Sequence, residues 1–263
     1  MATLSGVRVK IDRAKKHLAD LDVAIRAFEA LEPHRVVTHK ESSTGDEIYR
    51  YCSLVPIPDE WGAVVGDCVH NLRSALDLLA NALVRENGGV PGDRTAFPIG
   101  SSETDFRTSA IKRIEGASAT AIKIVSDLNP YRGGNEPLYR LHRIDIADKH
   151  RLLIPVAASH VVFGVQWDIT GPGFEHLPPS PMARVPAVSH KFPLKDGDEL
   201  GRYPRVSDPG YQDKTKFEFE FEIAFGEGQI YDGESVIPAL TKLVDFTDGL
   251  VGIFAGNVFK VSW

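Results

Sequence analysis

Five polar residues, His70, Arg73, Ser74, Asp77 and Asn81, recur three or four positions apart around the segment Gly66-Asp-Cys-Val-His-Asn-Leu-Arg-Ser-Ala-Leu-Asp77. On a helix that spacing puts them on one stripe, roughly opposite Cys68, Leu72 and Leu79. Imidazole, hydroxyl and carboxylate groups can move protons, and a guanidinium can hold an anion. A second polar group lies in Leu138-Tyr-Arg-Leu-His-Arg-Ile-Asp-Ile-Ala-Asp-Lys-His-Arg151. There Arg140, Arg143, Ala147 and His150 share one helical face, and His142, Asp145 and Lys149 share another. If the two helices pack antiparallel, His70, Arg73 and Asp77 meet Arg143, Asp148 and His150 in one pocket suited to acid–base work or to anion binding. Asn71 and Lys149 are further supporting or ligand-binding candidates.

Two readings of the first stripe stay open. It is a solvated face, as charged stripes on helices commonly are. Alternatively the flanking Val69, Ala75, Leu76 and Ala80 bury it, and then its Arg and Asp must be paired, because an unpaired buried ion costs several kcal/mol. Triad residue types are present in His70, Ser74 and Asp77, but three groups on one helix leave the serine without an elbow or oxyanion donors. His142 with Asp145, or His70 with Asp77, has ligand types for a metal. Seven helical positions nevertheless span roughly 10.5 Å, too far for one ion. No metal and no cofactor is expected. The chain also has no G-x-x-x-x-G-K-[ST], no G-x-G-x-x-G opening a helix, no H-E-x-x-H and no G-x-S-x-G, the usual marks of nucleotide hydrolysis, dinucleotide chemistry, zincin proteolysis and α/β-hydrolase catalysis.

The elements that carry these residues follow from periodicity. Val7, Ile11, Ala14, Leu18, Leu21, Ile25 and Phe28 alternate steps of four and three, which predicts an amphipathic helix from about Leu4 to Leu31, ended by Pro33. Its heptad spacing also suits a dimer seam. Residues 35–39 and 48–55 flank Ser43-Thr-Gly-Asp46 and read as a β-hairpin. Residues 59–86 are apolar over most of a helical circumference, as a central bundle helix would be. Residues 103–128 read as one or two shorter helices broken near Gly116, and Asn135 as the N-cap of a helix reaching His150 or Arg151. The period then changes to two: Phe163, Val165, Trp167 and Ile169, and later Phe217 to Phe225 alternating with Glu218, Glu220 and Glu222, predict antiparallel strands with one wet face. A turn at Lys195-Asp-Gly-Asp198, a short strand through Leu200 to Tyr203 and a closing helix over 236–259 complete the reading. The expected architecture is α+β: residues 1–151 as a helical bundle with a small inserted β-hairpin at about 35–55, then residues 152–263 as an antiparallel β layer with a C-terminal helix, packed on the bundle.

Of the 263 residues, 43% are hydrophobic and 25% charged, values of an ordinary globular protein. Residues 1–151 hold 21 Lys and Arg against 21 Asp and Glu, so the net charge of −6 belongs wholly to the later half. A nucleic-acid surface must therefore be local, and Arg132, Arg140, Arg143, Lys149 and Arg151 are the cations that would have to gather for it. The N-terminus lacks the apolar run of a signal peptide, and the apolar stretch 236–258 is interrupted by Lys242, Asp245 and Asp248. A cytoplasmic protein without a membrane span is expected. Cys52 and Cys68, without a C-x-x-C pair, point to neither a disulfide framework nor a cysteine zinc site.

The segment Val69-His-Asn-Leu-Arg-Ser-Ala-Leu-Asp77, preceded by Trp61-Gly and followed by Asp148-Lys-His-Arg151, resembles an uncharacterised family of bacterial and phage proteins that share both segments. That resemblance covers nearly the whole chain, implies that the two segments act together, and supplies no activity. Residues 1–151 are more distantly similar to the HEPN superfamily of helical bundles, whose metal-independent ribonucleases carry an Arg, four to six residues, then a His on a late helix. Arg143 and His150, with six residues between them, fit that pattern, as do Arg184 and His190. This resemblance implies a defence-type endoribonuclease acting on RNA, with His150 as general acid or base, Arg143 on the developing phosphate charge, His70 and Arg73 in support, and a homodimer. A non-catalytic module that binds a small anion or another protein is the alternative.

Overall fold

The computed structural model describes residues 3–150, 153, 155–165, 183–185, 190–203, 216–226 and 228–263. Helix α1 (Ser5–Glu29) buries Val7, Ile11, Ala14, Leu21, Ile25 and Phe28, the stripe expected from its spacing, with Leu18 half-buried against the same core. Strands β1 (His34–Lys40) and β2 (Glu47–Ser53) form the predicted hairpin, in register from His34↔Ser53 to Lys40↔Glu47. Gly45 supplies the left-handed residue of its turn at φ 79°. Helix α2 (Glu60–Glu86) is buried on several sides, by Trp61, Val65 and Leu72 as well as Val69, Leu76 and Leu83, and packs on α1, on α5 and on α6.

Between α2 and α5 the chain forms α3 (Glu103–Thr108), a 3-10 helix (Ala110–Ile114) and α4 (Ala119–Asp127). Gly116 at φ 91° makes the expected break. Helix α5 (Glu136–His150) starts where Asn135 Oδ1 accepts from the Leu138 N–H at 3.2 Å, as its N-cap position requires. Leu138, Leu141 and Ile144 are its fully buried apolar positions.

The later half supplies β3 (Pro155–Val165), β4 (Ala183–Val185), β5 (His190–Lys191), β6 (Glu199–Tyr203), β7 (Lys216–Phe225) and α6 (Val236–Phe254), followed by a π-turn over Ala255–Phe259. Strand β3 is central: β7 pairs along one edge from Pro155↔Phe225 to Gly164↔Lys216, and β4 and β5 pair along the other. It begins eight residues before the Phe163 where the alternation first shows. Trp167 and Ile169 lie outside the described residues. On β7 Glu220 is exposed while Ile223 and Phe225 are buried, but Ala224 on the Glu220 face is buried as well, so the expected wet face does not extend to the end of the strand. Strand β6 does not join this layer. It pairs with β2, giving a separate sheet of order β1-β2-β6, because the Lys195–Asp198 turn docks there: the Tyr51 N–H donates to Asp198 O at 2.8 Å and the Gly197 N–H to Tyr51 O at 2.8 Å.

The molecule is α+β, and one hydrophobic core runs from α1 and α2 through α6 to Ile223 and Phe225 of β7. A smaller cluster, Tyr51, Ala157 and Leu200 with Tyr49, Phe219 and Phe221, fills the space between the two sheets. No helix among the described residues is long and apolar enough to cross a membrane.

Candidate functional site

Helices α2 and α5 pack antiparallel, as two contacts and one electrostatic coupling in succession show. Gly66 faces the Asp148 carboxylate, His70 meets Asp145, and Arg73 lies close enough to His142 to repel its proton. Gly66 is what allows the approach, since a Cβ there would overlap the Asp148 carboxyl oxygens. The phase of α5 is set by Leu138, Leu141 and Ile144, which enter the core. Asp145 follows in the same stripe, seven positions after Leu138, and is 2% exposed.

Two layers of polar contact result. In the deeper one Arg73, 6% exposed, sends Nη2 to Asp77 Oδ1 at 2.9 Å and to Phe97 O at 3.1 Å, and Asp77 Oδ1 also accepts from the Phe97 N–H at 2.9 Å. The ion pair thus grips both polar backbone groups of Phe97, whose side chain fills the core against Phe254. Burial lowers the Arg73 pKa, against the Asp77 and Asp145 charges. Burial likewise raises the Asp77 carboxyl above its usual range, against the pull of Arg73 and the Phe97 N–H. This is the paired, buried alternative for the first stripe, and it assigns Arg73 and Asp77 a structural duty.

The outer layer is open to solvent. Asp145 Oδ1 lies 3.2 Å from His70 Nδ1, and Asp145 Oδ2 accepts from Lys149 Nζ at 2.6 Å. The His70 and Lys149 side chains are each 53% exposed while that of Asp145 is 3% exposed. Ser74 Oγ stands 3.4 Å from His70 Nε2. An imidazole with Nδ1 on a fixed carboxylate and Nε2 at the surface is the arrangement of an oriented acid–base group. Ser74–His70–Asp145 follows the order of a nucleophile relay, but Ser74 sits inside α2, whose neighbouring N–H groups are taken up by the helix. Acyl transfer would lack its oxyanion donors; the groups at hand for a developing charge are cations.

Among the described residues, neither Nδ1 of His142, partly buried behind this layer, nor Arg73 Nη1 has a hydrogen-bond partner. Burial and the Arg73 and Arg113 charges push the His142 imidazole down from 6.5 to about 4, with Asp145 opposing and Lys149 adding to the effect. It is therefore neutral at neutral pH. Burial, with repulsion from Asp145 and Asp67, raises the Asp148 carboxyl against the pull of His70 and Lys149.

Of the sequence-derived candidates, His70, Arg73, Asp77, Asp148 and Lys149 are brought together. Asn71 stands beside them, its Oδ1 accepting from Lys10 Nζ at 3.2 Å and its Nδ2 donating to Asp67 O at 2.8 Å. Arg143 is exposed on another face of α5 and does not join the network. His150 ends α5, its side chain and the whole of Arg151 lying outside what is described. Asp145 and His142 carry more of the geometry than the resemblance-led choice of Arg143 and His150. The signal for Asp145 was its place in the Leu138, Leu141 stripe. Arg113 and Phe97, distant in sequence, left none. Asn71 and Asp67 of α2 also line a groove of about 590 Å³, with Lys10, Asp12, Arg13, Lys16 and His17 of α1. Among the described residues no group of three or more His, Cys, Asp or Glu is placed to hold a metal ion. Comparison with protein-family models, with curated proteins and with solved structures finds no match.

Proposed function

We propose that the protein is a cytoplasmic RNA-cleaving enzyme working by metal-independent acid–base catalysis, with His70 as its proton-transfer group. The observation that carries this reading is the His70–Asp145 pair, in which the buried carboxylate fixes the ring and leaves Nε2 beside Ser74 at the surface. In such cleavage Nε2 takes the proton of a ribose 2′-hydroxyl, the 2′-oxygen bonds to phosphorus, and the bond to the 5′-oxygen breaks as that oxygen takes a proton from a water molecule, whose hydroxide is neutralised by the proton that His70 then releases. A 2′,3′-cyclic phosphate and a free 5′-hydroxyl remain. Lys149, half-exposed next to Asp145, supplies a cation for the charge gathering on the phosphate. Asn71, next to His70 in the chain, lines the α1/α2 groove, where Lys10, Arg13 and Lys16, the last paired with Asp20, offer cations to a phosphate backbone beside the Asp12 and Asp67 carboxylates.

The HEPN-like reading gives the same reaction to Arg143 and His150, seven positions apart on one α5 stripe, and expects a dimer. The two assignments separate cleanly by experiment. Purified protein is incubated with single-stranded RNA in chelator, beside His70→Ala, Asp145→Asn, Arg143→Ala and His150→Ala. Cleavage is expected to fall by about 100-fold or more in His70→Ala, and in part in Asp145→Asn. Loss confined to Arg143→Ala and His150→Ala would move the chemistry to the other face of α5. No cleavage by the parent would leave the anion-binding or protein-interaction alternative.

A further inference from the structure

On the far side of the buried Arg73–Asp77 pair, three short segments converge. The turn Gly92–Thr95, closed by the Thr95 N–H on Gly92 O at 2.9 Å, presents Arg94. The end of α3 and the residue after it present Thr108 and Ser109. The 3-10 helix presents Lys112 and Arg113. Together these five residues line a hollow of about 530 Å³. No carboxylate is among its lining residues, and among the described residues none of Arg94, Lys112 and Arg113 is in an ion pair. Asp105 feels the Arg113 charge, but one of its oxygens is held by the Ser101 N–H and hydroxyl at 2.7 and 3.0 Å. The Thr108 hydroxyl donates to Thr104 O at 2.7 Å, which turns its oxygen into an acceptor-only group unless the rotor moves. Among the described residues the Ser109 hydroxyl has no hydrogen-bond partner and is placed to donate.

We propose that this hollow binds a compact phosphate-bearing small molecule, its oxygens held by the Arg94 and Arg113 guanidiniums, the Lys112 ammonium and the Ser109 hydroxyl. Three unneutralised cations around a concave site repel one another, and a dianion removes that repulsion while accepting charge-assisted hydrogen bonds. Three cations drawn from two segments onto one hollow suit a terminal phosphate better than a polynucleotide backbone, which needs cations strung along a track. The site is separate from the His70 surface and does not depend on catalysis there.

The hollow is also tied electrically to the network behind it, because the Arg113 charge reaches both Arg73 and His142. The other charges bearing on His142 are Arg73, Lys149 and Asp145. Burial does most to hold the imidazole neutral, and an anion at Arg113 offsets one of the three cations that add to it. The imidazole's titration midpoint, about 4 in the free protein, then moves upward; an anion on Lys149 would act in the same sense, and loss of the response in the hollow variants separates the two.

The test uses the full chain at low ionic strength, titrated by calorimetry with inorganic phosphate and with a nucleoside 5′-monophosphate, while His142 is followed by NMR. Arg113→Gln and the double variant Arg94→Gln/Lys112→Gln are expected to weaken binding by about tenfold or more. Lys123→Gln, at an exposed lysine paired with Asp127, is the control and leaves binding unchanged. Tighter binding of the monophosphate than of phosphate identifies an organic phosphate as the ligand class; equal binding identifies the free anion. The proposal is overturned if neither probe binds at millimolar concentration, if the hollow variants bind as well as the parent, or if binding leaves His142 unmoved. All these variants change exposed side chains, and an unaltered circular-dichroism spectrum verifies their fold.

Discussion

Asp77 Oδ1 holds the Arg73 guanidinium and the Phe97 N–H at once, so its removal strips two groups of a partner. Arg73 cannot respond by turning to water, being almost wholly enclosed, and a guanidinium does not lose its proton in proteins. Asp77→Ala is accordingly expected to lower stability by about 2–4 kcal/mol, less than for a fully enclosed pair because the Asp77 side chain is itself partly exposed. Asp77→Asn keeps an acceptor for the Phe97 N–H and falls between. The denaturation midpoint reads this directly, and an unchanged midpoint in Asp77→Ala would show that the Arg73 charge is satisfied without its partner. The residue types were legible here but their duties were not. His70, Arg73 and Asp77 lie on one stripe, and nothing in that stripe distinguishes the two that clamp a distant backbone from the one left at the surface, because Phe97 is twenty residues beyond Asp77.

Between elements, the α2–α5 contact depends on Gly66. A methyl group there would collide with the Asp148 carboxylate, and the helix must then yield or the short side chain must swing away. Gly66→Ala is expected to cost about 1–3 kcal/mol despite alanine being the better helix former. In Asp148→Ala the collision partner is gone, so adding Gly66→Ala to it should be neutral or stabilising. A double-mutant cycle in chemical denaturation measures the coupling, and simple additivity of the two changes would show that the helices do not meet at this point. Helix limits and the hairpin were legible because their signals are local: the apolar stripe of α1, the Asn135 cap, Gly45 and Gly116. The phase of α5 against α2 was legible only in part, through Leu138 and Leu141. The pairing of β6 with β2 was not, since it joins residues about 150 apart through backbone hydrogen bonds of the Lys195–Asp198 turn, and strand pairing at that separation leaves no periodic trace in either segment.

Across the whole molecule, the question is whether residues on either side of position 151 unfold together. The bundle and the β layer share side chains rather than a seam: Leu240, Leu243 and Phe254 of α6 lie in the same core as α1 and α2, and Ile223 and Phe225 carry β7 into it. Arg140 of α5 crosses to the loop before α6, stacking on Tyr231 with its guanidinium 3.8 Å from the ring centre, pairing with Glu234 and donating to Ile230 O at 3.0 Å. At the other end Trp263 Nε1 donates to Asp248 of α6 at 2.6 Å, Asp248 binds Lys15 of α1 at 2.7 Å, and Arg8 of α1 lies 4.1 Å over the Trp263 ring. Removing the later half would expose the apolar flank of α1 and α2 that faces α6, at roughly 25 cal/mol for each Å² uncovered. Neither half therefore has a complete core by itself, and a single cooperative transition follows. Far-UV circular dichroism, which follows the helices, and tryptophan fluorescence should give superimposable thermal curves, with calorimetric and van't Hoff enthalpies in agreement. Two resolved transitions, with helix signal retained after the first, would instead show that the bundle stands alone and that the β layer is a separable unit resting on it.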